Sequence, residues 1–168
     1  SRLLFSTMSN VKHGFKPVFD GRSRVLILGS FPSVKSRQVE FYYGNTRNRF
    51  WKTVSAYFGE RPPQSTDDKI DFLHRRNIAL WDIVAECKIE GSSDARIKNY
   101  SVAQLKDVLE NAPIELIILN GSKAYEIFIK NYPRIGIPYV LLPSTSPANP
   151  RDGTAVWHSA LSCVFEDD

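Results

Sequence analysis

Four short runs of apolar residues, Val25–Leu28, Ile78–Trp81, Leu116–Leu119 and Tyr139–Leu142, recur along the chain at intervals wide enough for a crossover helix. Unbroken runs of this kind fill strands that are covered on both faces. Helices are expected between and after them, over Arg49–Phe58, Asp67–Arg76, Val102–Asn111, Ser122–Tyr132 and Thr154–Val164. Asp67 and Ser101 are suitable caps, and Pro113 and Pro133 stop two of the helices. The alternation predicts an α/β fold with a parallel sheet and helices on both faces. Right-handed crossovers then bring the strand C-termini to one edge, where open α/β sheets bind their ligands. Gly29-Ser30-Phe31, Asp82, Asn120-Gly121 and Pro143-Ser144 are expected to converge there.

Two segments at that edge carry an unusual density of chemistry. After Val25–Leu28 the chain enters Gly29-Ser30-Phe31-Pro32, a turn in which glycine tolerates backbone conformations closed to other residues and proline stiffens the exit. Phe41, Tyr42, Tyr43, Asn45, Arg47 and Asn48 follow within eight residues, placing ring faces, amides and a cation together. Such groups grip a base and a phosphate. A βα loop with core aromatics and turn-forming amides fits the same residues. The second segment, Leu141 to Pro150, packs the hydroxyls of Ser144, Thr145 and Ser146 and the amide of Asn149 among Pro143, Pro147 and Pro150. Prolines reduce the entropy lost when a loop is ordered, so this rim is suited to pushing into a partner, although a proline-rich surface turn is the plainer alternative.

Composition narrows the class. A chain of 168 residues is most simply one domain, large enough to bury about two thirds of its unfolded surface. Residues 13–168 are assigned to that domain, and residues 1–12 to a flexible or expression-derived N-terminal extension. The first eight residues lack a convincing signal-peptide core and cleavage site. At 42% hydrophobic and 24% charged the chain is ordinary for a globular protein, and no apolar run approaches the ~18 residues of a membrane span. The 22 Lys and Arg against 18 Asp and Glu give +4, compatible with a polyanionic partner without requiring one. Cys87 and Cys163 form no metal-ligand or disulfide spacing, so buried reduced thiols, no metal, no cofactor and an intracellular location are expected.

GSFPS (29–33), the YYGN-x-x-N-R-F-W run (42–51) and LPSTSPAN (142–149), together with Ala79-Leu80-Trp81-Asp82, Glu90-Gly91-Ser92-Ser93-Asp94 and Asn120-Gly121, resemble the hypoxanthine-DNA (deoxyinosine) glycosylases. These form a branch of the uracil-DNA glycosylase superfamily related to the mismatch-specific uracil- and thymine-DNA enzymes. The similarity spans roughly His13 to Trp157. It implies a three-layer α/β/α fold around a four-stranded, mostly parallel sheet of order 2-1-3-4, and a monomer acting on DNA that contains a damaged base.

The same resemblance implies roles for particular residues. A glycosylase flips the damaged nucleotide into a pocket and fills the gap it leaves. Ser144 to Asn149 corresponds to the segment that enters the duplex, with Ser144, Thr145 and Ser146 as uncharged donors and Pro147-Ala148 as the wedge. By motif position Asn48 is the catalytic residue, with Asn45 second. An amide takes no proton at neutral pH, so Asn48 would orient water or base rather than act as a general base. Capping of the helix that begins at Arg49 is a second job for the same side chain. Gly29, Ser30, Phe31, Pro32, Tyr43 and Asn120 are assigned to base binding; by residue type Arg47 and Lys123 are candidate phosphate contacts, although an isolated cation on a loop or helix is usually just solvated. Residue by residue, Asn120 could read a purine edge or cap the helix ahead of Ser122, and Phe31 and Tyr43 could stack on the base or belong to the core. Asp82 is a reserve carboxylate at the pocket edge, although a strand-end Asp that caps the next turn is the plainer reading, and His13, His74 and His158 lack motif context.

The chain departs from its relatives twice. Ser30-Phe31-Pro32 stands where the mismatch-specific uracil enzymes carry an Asn, which argues for hypoxanthine rather than uracil. Asn45-Thr46 stands where this branch commonly has His-Pro. No lysine falls within the matching motifs, so a monofunctional hydrolase is expected, without a Schiff-base intermediate. Uracil or mismatched thymine removal is the close alternative, and a nucleic-acid-binding module without turnover the one from another class. A dinucleotide- or nucleotide-binding Rossmann protein is disfavoured, since neither GxGxxG nor a Walker A lysine motif is present.

Overall fold

Alternation along each strand places successive side chains on opposite faces, so a sheet covered on both sides needs apolar residues at every position. Val25 to Leu28 meet this condition, each with no solvent exposure. The computed structural model describes residues 9–12, 15–32, 34–39, 41–89 and 97–166. Its elements run β1 (Ser9–Lys12), β2 (Val25–Gly29), α1 (Val34–Val39), α2 (Phe50–Tyr57), α3 (Thr66–Arg75), β3 (Ile78–Asp82), β4 (Val84–Ile89), β5 (Ile97–Val102), α4 (Lys106–Asn111), β6 (Leu116–Asn120), α5 (Ser122–Asn131), β7 (Tyr139–Leu142) and α6 (Thr154–Phe165).

The four apolar runs form one parallel sheet of order β3-β2-β6-β7, which is the expected 2-1-3-4. Leu26, Leu28, Ala79, Ile117 and Leu119 pack on one face against Val108 of α4 and Ala124, Ile127 and Phe128 of α5. Val25, Ile27, Ile78, Leu80, Ile118 and Leu142 pack on the other against α2, α3 and α6, through Phe50, Trp51, Val54, Phe72, Leu73, Trp157 and Leu161. Helices thus cover both faces in a three-layer α/β/α arrangement. No helix among the described residues is long and apolar enough to cross a membrane.

Several boundaries differ from the sequence reading. Ser65, not Asp67, caps α3, accepting the Asp68 N–H at 3.0 Å, while Asp67 and Asp68 lie in the first turn and favour the positive helix end. The helix expected from Val102 begins only at Lys106, because Ile97–Val102 is a strand and Ser101 belongs to it instead of capping. That strand pairs with β4, and β4 with β1, in a separate antiparallel sheet of order β1-β4-β5. Residues 9–12, set apart as extension, therefore enter a sheet. Cys163 is exposed on α6 rather than buried. Glu90 to Asp94, Ser33, His13 and the first eight residues lie outside the described residues.

On the surface, Glu60 accepts from Arg75 through both carboxylate oxygens at 3.1 and 3.0 Å and from Arg76 at 2.6 Å. These bonds, Arg75 first, hold its carboxyl below the ordinary glutamate range. A lowered folded-state pKa contributes stability that is present above the unfolded value and lost as pH falls through the folded one. Glu60→Gln is expected to cost about 0.5–1 kcal/mol at neutral pH. Urea unfolding should show that difference disappearing in acid, where the parent carboxylate is protonated as well.

Candidate active site

The C-terminal ends of β2, β3 and β6 and the loop after β7 enclose a cleft of about 580 Å³, within the range of small-molecule sites. It is lined by Gly29, Ser30, Phe31, Pro32, Ser36, Tyr42, Tyr43, Asn45, Asn48, Asp82, Asn120 and Ser144 to Asn149. The geometry thus brings together all but two of the residues given catalytic, base-binding or DNA-binding roles from the sequence. Arg47 is exposed in the turn before α2 and Lys123 lies in the first turn of α5, and neither lines the cleft. Gly121 and Pro143 stand just behind it.

Two tryptophans explain why the polar loops stay in place. The Trp51 indole N–H donates to the Tyr42 carbonyl at 3.2 Å, and that of Trp157 donates to the Pro143 carbonyl at 2.8 Å. Both rings are anchored in the core, so each loop is pinned by a donor that has no cheaper partner. Tyr42 is itself buried, its hydroxyl bonded to the Lys16 carbonyl at 2.8 Å. Burial, then the Asp82 charge, pushes its phenol far above the ordinary range, so it stays neutral.

Asn120 connects the two loops. Its oxygen accepts the Thr145 N–H at 3.0 Å, and its nitrogen donates to the Thr145 hydroxyl at 2.9 Å and the Tyr43 hydroxyl at 3.2 Å. The helix-cap alternative for Asn120 does not occur, because Gly121 holds the cap position of α5 and no side chain caps it. Both amide hydrogens are committed, and the oxygen retains a second lone pair at the cleft floor. Tyr43 adopts a left-handed φ of 52°, uncommon for a non-glycine residue. Its ring stacks on Phe50, centroids 4.2 Å apart, so the core occupies one of its faces. Phe31 is also largely buried, with the Arg37 guanidinium 5.8 Å from its ring centroid.

Asn48 does cap the following helix in effect, since its oxygen accepts the Phe50 N–H at 2.9 Å. That bond aims the rest of the carboxamide at the cleft, with no protein partner for its NH2 among the described residues. Asn45 shapes the turn: its side-chain oxygen accepts the Arg47 N–H and its carbonyl accepts the Asn48 N–H, both at 2.9 Å. Around the second loop, Ser144 accepts the Ser146 N–H and Ser146 accepts the Ala148 N–H, both at 3.1 Å. A hydroxyl that accepts an N–H still has its proton to give.

Sequence reasoning missed Ser36 and Arg49. Ser36 is buried and accepts the Gly44 N–H at 2.9 Å, ordering the tyrosine loop. Only its place between the two motifs signalled it. Asp82 proves buried at the cleft wall, where its carboxylate oxygen stands 2.5 Å from the position a Gly29 Cβ would take. Glycine at 29 leaves that space to Asp82 and to the Tyr43 hydroxyl. No group of three or more His, Cys, Asp or Glu suited to a metal ion occurs among the described residues.

A family model, the uracil DNA glycosylase superfamily, matches residues 16–159. The chain belongs to this superfamily. It is similar to a curated protein of Methanosarcina acetivorans named hypoxanthine DNA glycosylase, 36% identical over 145 residues that make up 84% of this chain and 90% of that protein. A protein of the same name from Methanosarcina barkeri is 34% identical over 144 residues, 83% of this chain and 89% of its own. The solution NMR structure of a proposed uracil DNA glycosylase from Methanosarcina acetivorans is also similar, with TM-score 0.80 and 32% identity over 91% of this chain and 97% of that one. Within the superfamily fold, the seat of the second loop depends on Gly121. Its φ of 100° and ψ of 162° belong to a region used almost only by glycine, and a Cβ there would stand 3.1 Å from Ser144 Cβ. Gly121→Ala is expected to lower stability by about 1–3 kcal/mol in chemical denaturation.

Proposed function

We propose that this protein is a monofunctional DNA glycosylase that flips a deaminated base, hypoxanthine, out of DNA and hydrolyses its bond to deoxyribose. One observation carries the reading: Asn48, Asn120 and the Ser144–Asn149 loop, which lie far apart in sequence, line one cleft in a member of the superfamily. The named activity of the two methanogen relatives supports hypoxanthine as the base.

In the proposed reaction, water adds its oxygen to the anomeric carbon as the glycosidic bond breaks, the bonding pair leaves with the base, and the water proton ends on the base. The sugar passes through an oxocarbenium-like state, so the protein's task is to stabilise a departing anion and hold the water. Asn48 suits this because its bond to the Phe50 N–H leaves an oriented NH2 and one oxygen lone pair for water or base. Helix α2 begins at the same place, and its partial positive end favours negative charge on the leaving base. Asn120 meets the base through the free lone pair of its oxygen, which suits the N1–H of hypoxanthine and not the bare N1 of adenine. The hydroxyls of Ser144 and Ser146, turned by the N–H groups they accept, donate to backbone phosphates, and Pro147-Ala148 supply the wedge. Arg47 and Lys123 flank the cleft as phosphate contacts.

Single-turnover excision on matched duplexes carrying hypoxanthine, uracil, xanthine or a G·T mismatch tests the substrate, with abasic sites revealed by alkali. Release of hypoxanthine in preference to the others is expected; release of uracil alone would transfer the chain to the alternative specificity, and binding without release would leave a non-catalytic module. Asn48→Ala should abolish excision while lowering stability by only about 1 kcal/mol, the size of a lost helix cap. Undiminished cleavage by that variant would remove Asn48 from the reaction.

A further inference from the structure

Arg49 is the residue between Asn48 and the first turn of α2; its carbonyl accepts the Thr53 N–H of that helix at 2.8 Å, and every bond it donates goes to the other loop. Its backbone N–H donates to the Thr145 carbonyl at 3.0 Å. One guanidinium nitrogen donates to the carbonyls of Ser146 at 3.2 Å and Asn149 at 2.6 Å. The carbonyl of Ser144 is taken by the Asn149 side chain at 3.0 Å, and that of Ser146 also accepts the Asn149 N–H at 3.0 Å. Four carbonyl oxygens of a six-residue loop are thereby bonded within the protein, three of them to Arg49.

We infer that Arg49 is a positioning residue that latches the Ser144–Asn149 loop to the Asn48 turn, so that the element entering DNA and the amide at the reacting bond move as one body. The inference rests on the function proposed above. Two physical consequences support it. Free carbonyl oxygens would repel phosphates, and engaging these four in bonds within the protein leaves the loop to meet a polyanion with hydroxyl donors and apolar Pro147-Ala148. The charge of Arg49 is also partly matched within the protein. Hydrogen bonds from Thr154 first, and then the Arg49 and Lys52 charges, hold the Asp152 carboxyl below its ordinary range. A cation bonded to two carbonyls of one loop, with Asp152 lining the same small pocket, is placed to hold that loop rather than to wait for a phosphate.

The test compares Arg49→Met with the parent on hypoxanthine in a duplex and in a single strand of the same sequence. A single strand needs no wedge, because its base is already unpaired. The variant is expected to lose on the order of a hundredfold in the single-turnover rate constant on duplex, the scale of a small misplacement of catalytic geometry, and several-fold less on single strand. The salt dependence of duplex binding should keep its slope, whereas a lost phosphate contact would flatten it by about 0.9. Amide hydrogen exchange of Thr145, Ser146, Ala148 and Asn149 should accelerate in the variant, with exchange in β2 and β6 unchanged. This last reading needs no activity, so it separates failure of the latch from failure of the proposed substrate, which the parent enzyme's inactivity on hypoxanthine would reveal. Equal losses on both substrates, a flattened salt slope, or unaltered loop exchange would each overturn the inference. Should Arg49→Met not fold, Arg49→Lys, which keeps the charge but not the planar donor, serves for the rate comparison on the two substrates and for the amide exchange.

Discussion

A carboxamide that is 9% exposed has to place an oxygen and two N–H bonds, and leaving any of them unmet in a low-dielectric interior costs more than the bond itself contributes. Asn120 meets this demand by reaching sideways from the end of β6 to Thr145 and Tyr43. The sheet, the tyrosine loop and the serine-rich loop are therefore joined at one side chain. Everything the cleft offers depends on that junction. Tyr43 holds an unfavourable backbone conformation because Phe50 stacks on its ring and Asn120 bonds its hydroxyl, and local strain of this kind persists only where the surroundings over-determine it.

The charge pattern of the cleft suits the bond cleavage proposed for it. Its described lining includes amides, hydroxyls and aromatic rings with a single carboxylate, Asp82, and neither lysine nor histidine. Neutral donors fixed in advance stabilise developing negative charge without reorganising during the reaction, which is where a glycosylase has most to gain. The apolar walls matter equally. Phe31 is largely buried and Tyr43 rests one face on Phe50, so in the proposed reaction a base entering the cleft would exchange stacking in the duplex for contact with rings already held in place.

Asn45-Thr46 forms the turn that leads into Asn48. Asn45 accepts two successive backbone donors, from Arg47 and Asn48, and asparagine is well suited to this because its side chain mimics a backbone carbonyl. The approach of the chain to Asn48 is thereby braced.

Much of this fold was legible in the chain because burial on two faces demands continuous apolar runs, and Val25–Leu28, Ile78–Trp81, Leu116–Leu119 and Tyr139–Leu142 had no other use. Strand ends of a parallel sheet must share an edge, so Gly29, Asp82, Asn120 and Ser144 were bound to meet. The antiparallel sheet was not legible. Val84–Ile89 and Ile97–Val102 mix polar and apolar residues, and such segments become strands only when distant partners, here including Ser9–Lys12, supply their hydrogen bonds. The cap that Asn48 makes on α2 was legible, but the sequence could not say that Asn120 spends its hydrogens on Thr145 and Tyr43, or that Arg49 reaches across to Ser146 and Asn149. Residue type and periodicity determined which elements form and which edge they share. Tertiary structure alone decided which polar atoms satisfy one another, because a side-chain hydrogen bond between residues a hundred positions apart leaves no periodic trace in either segment.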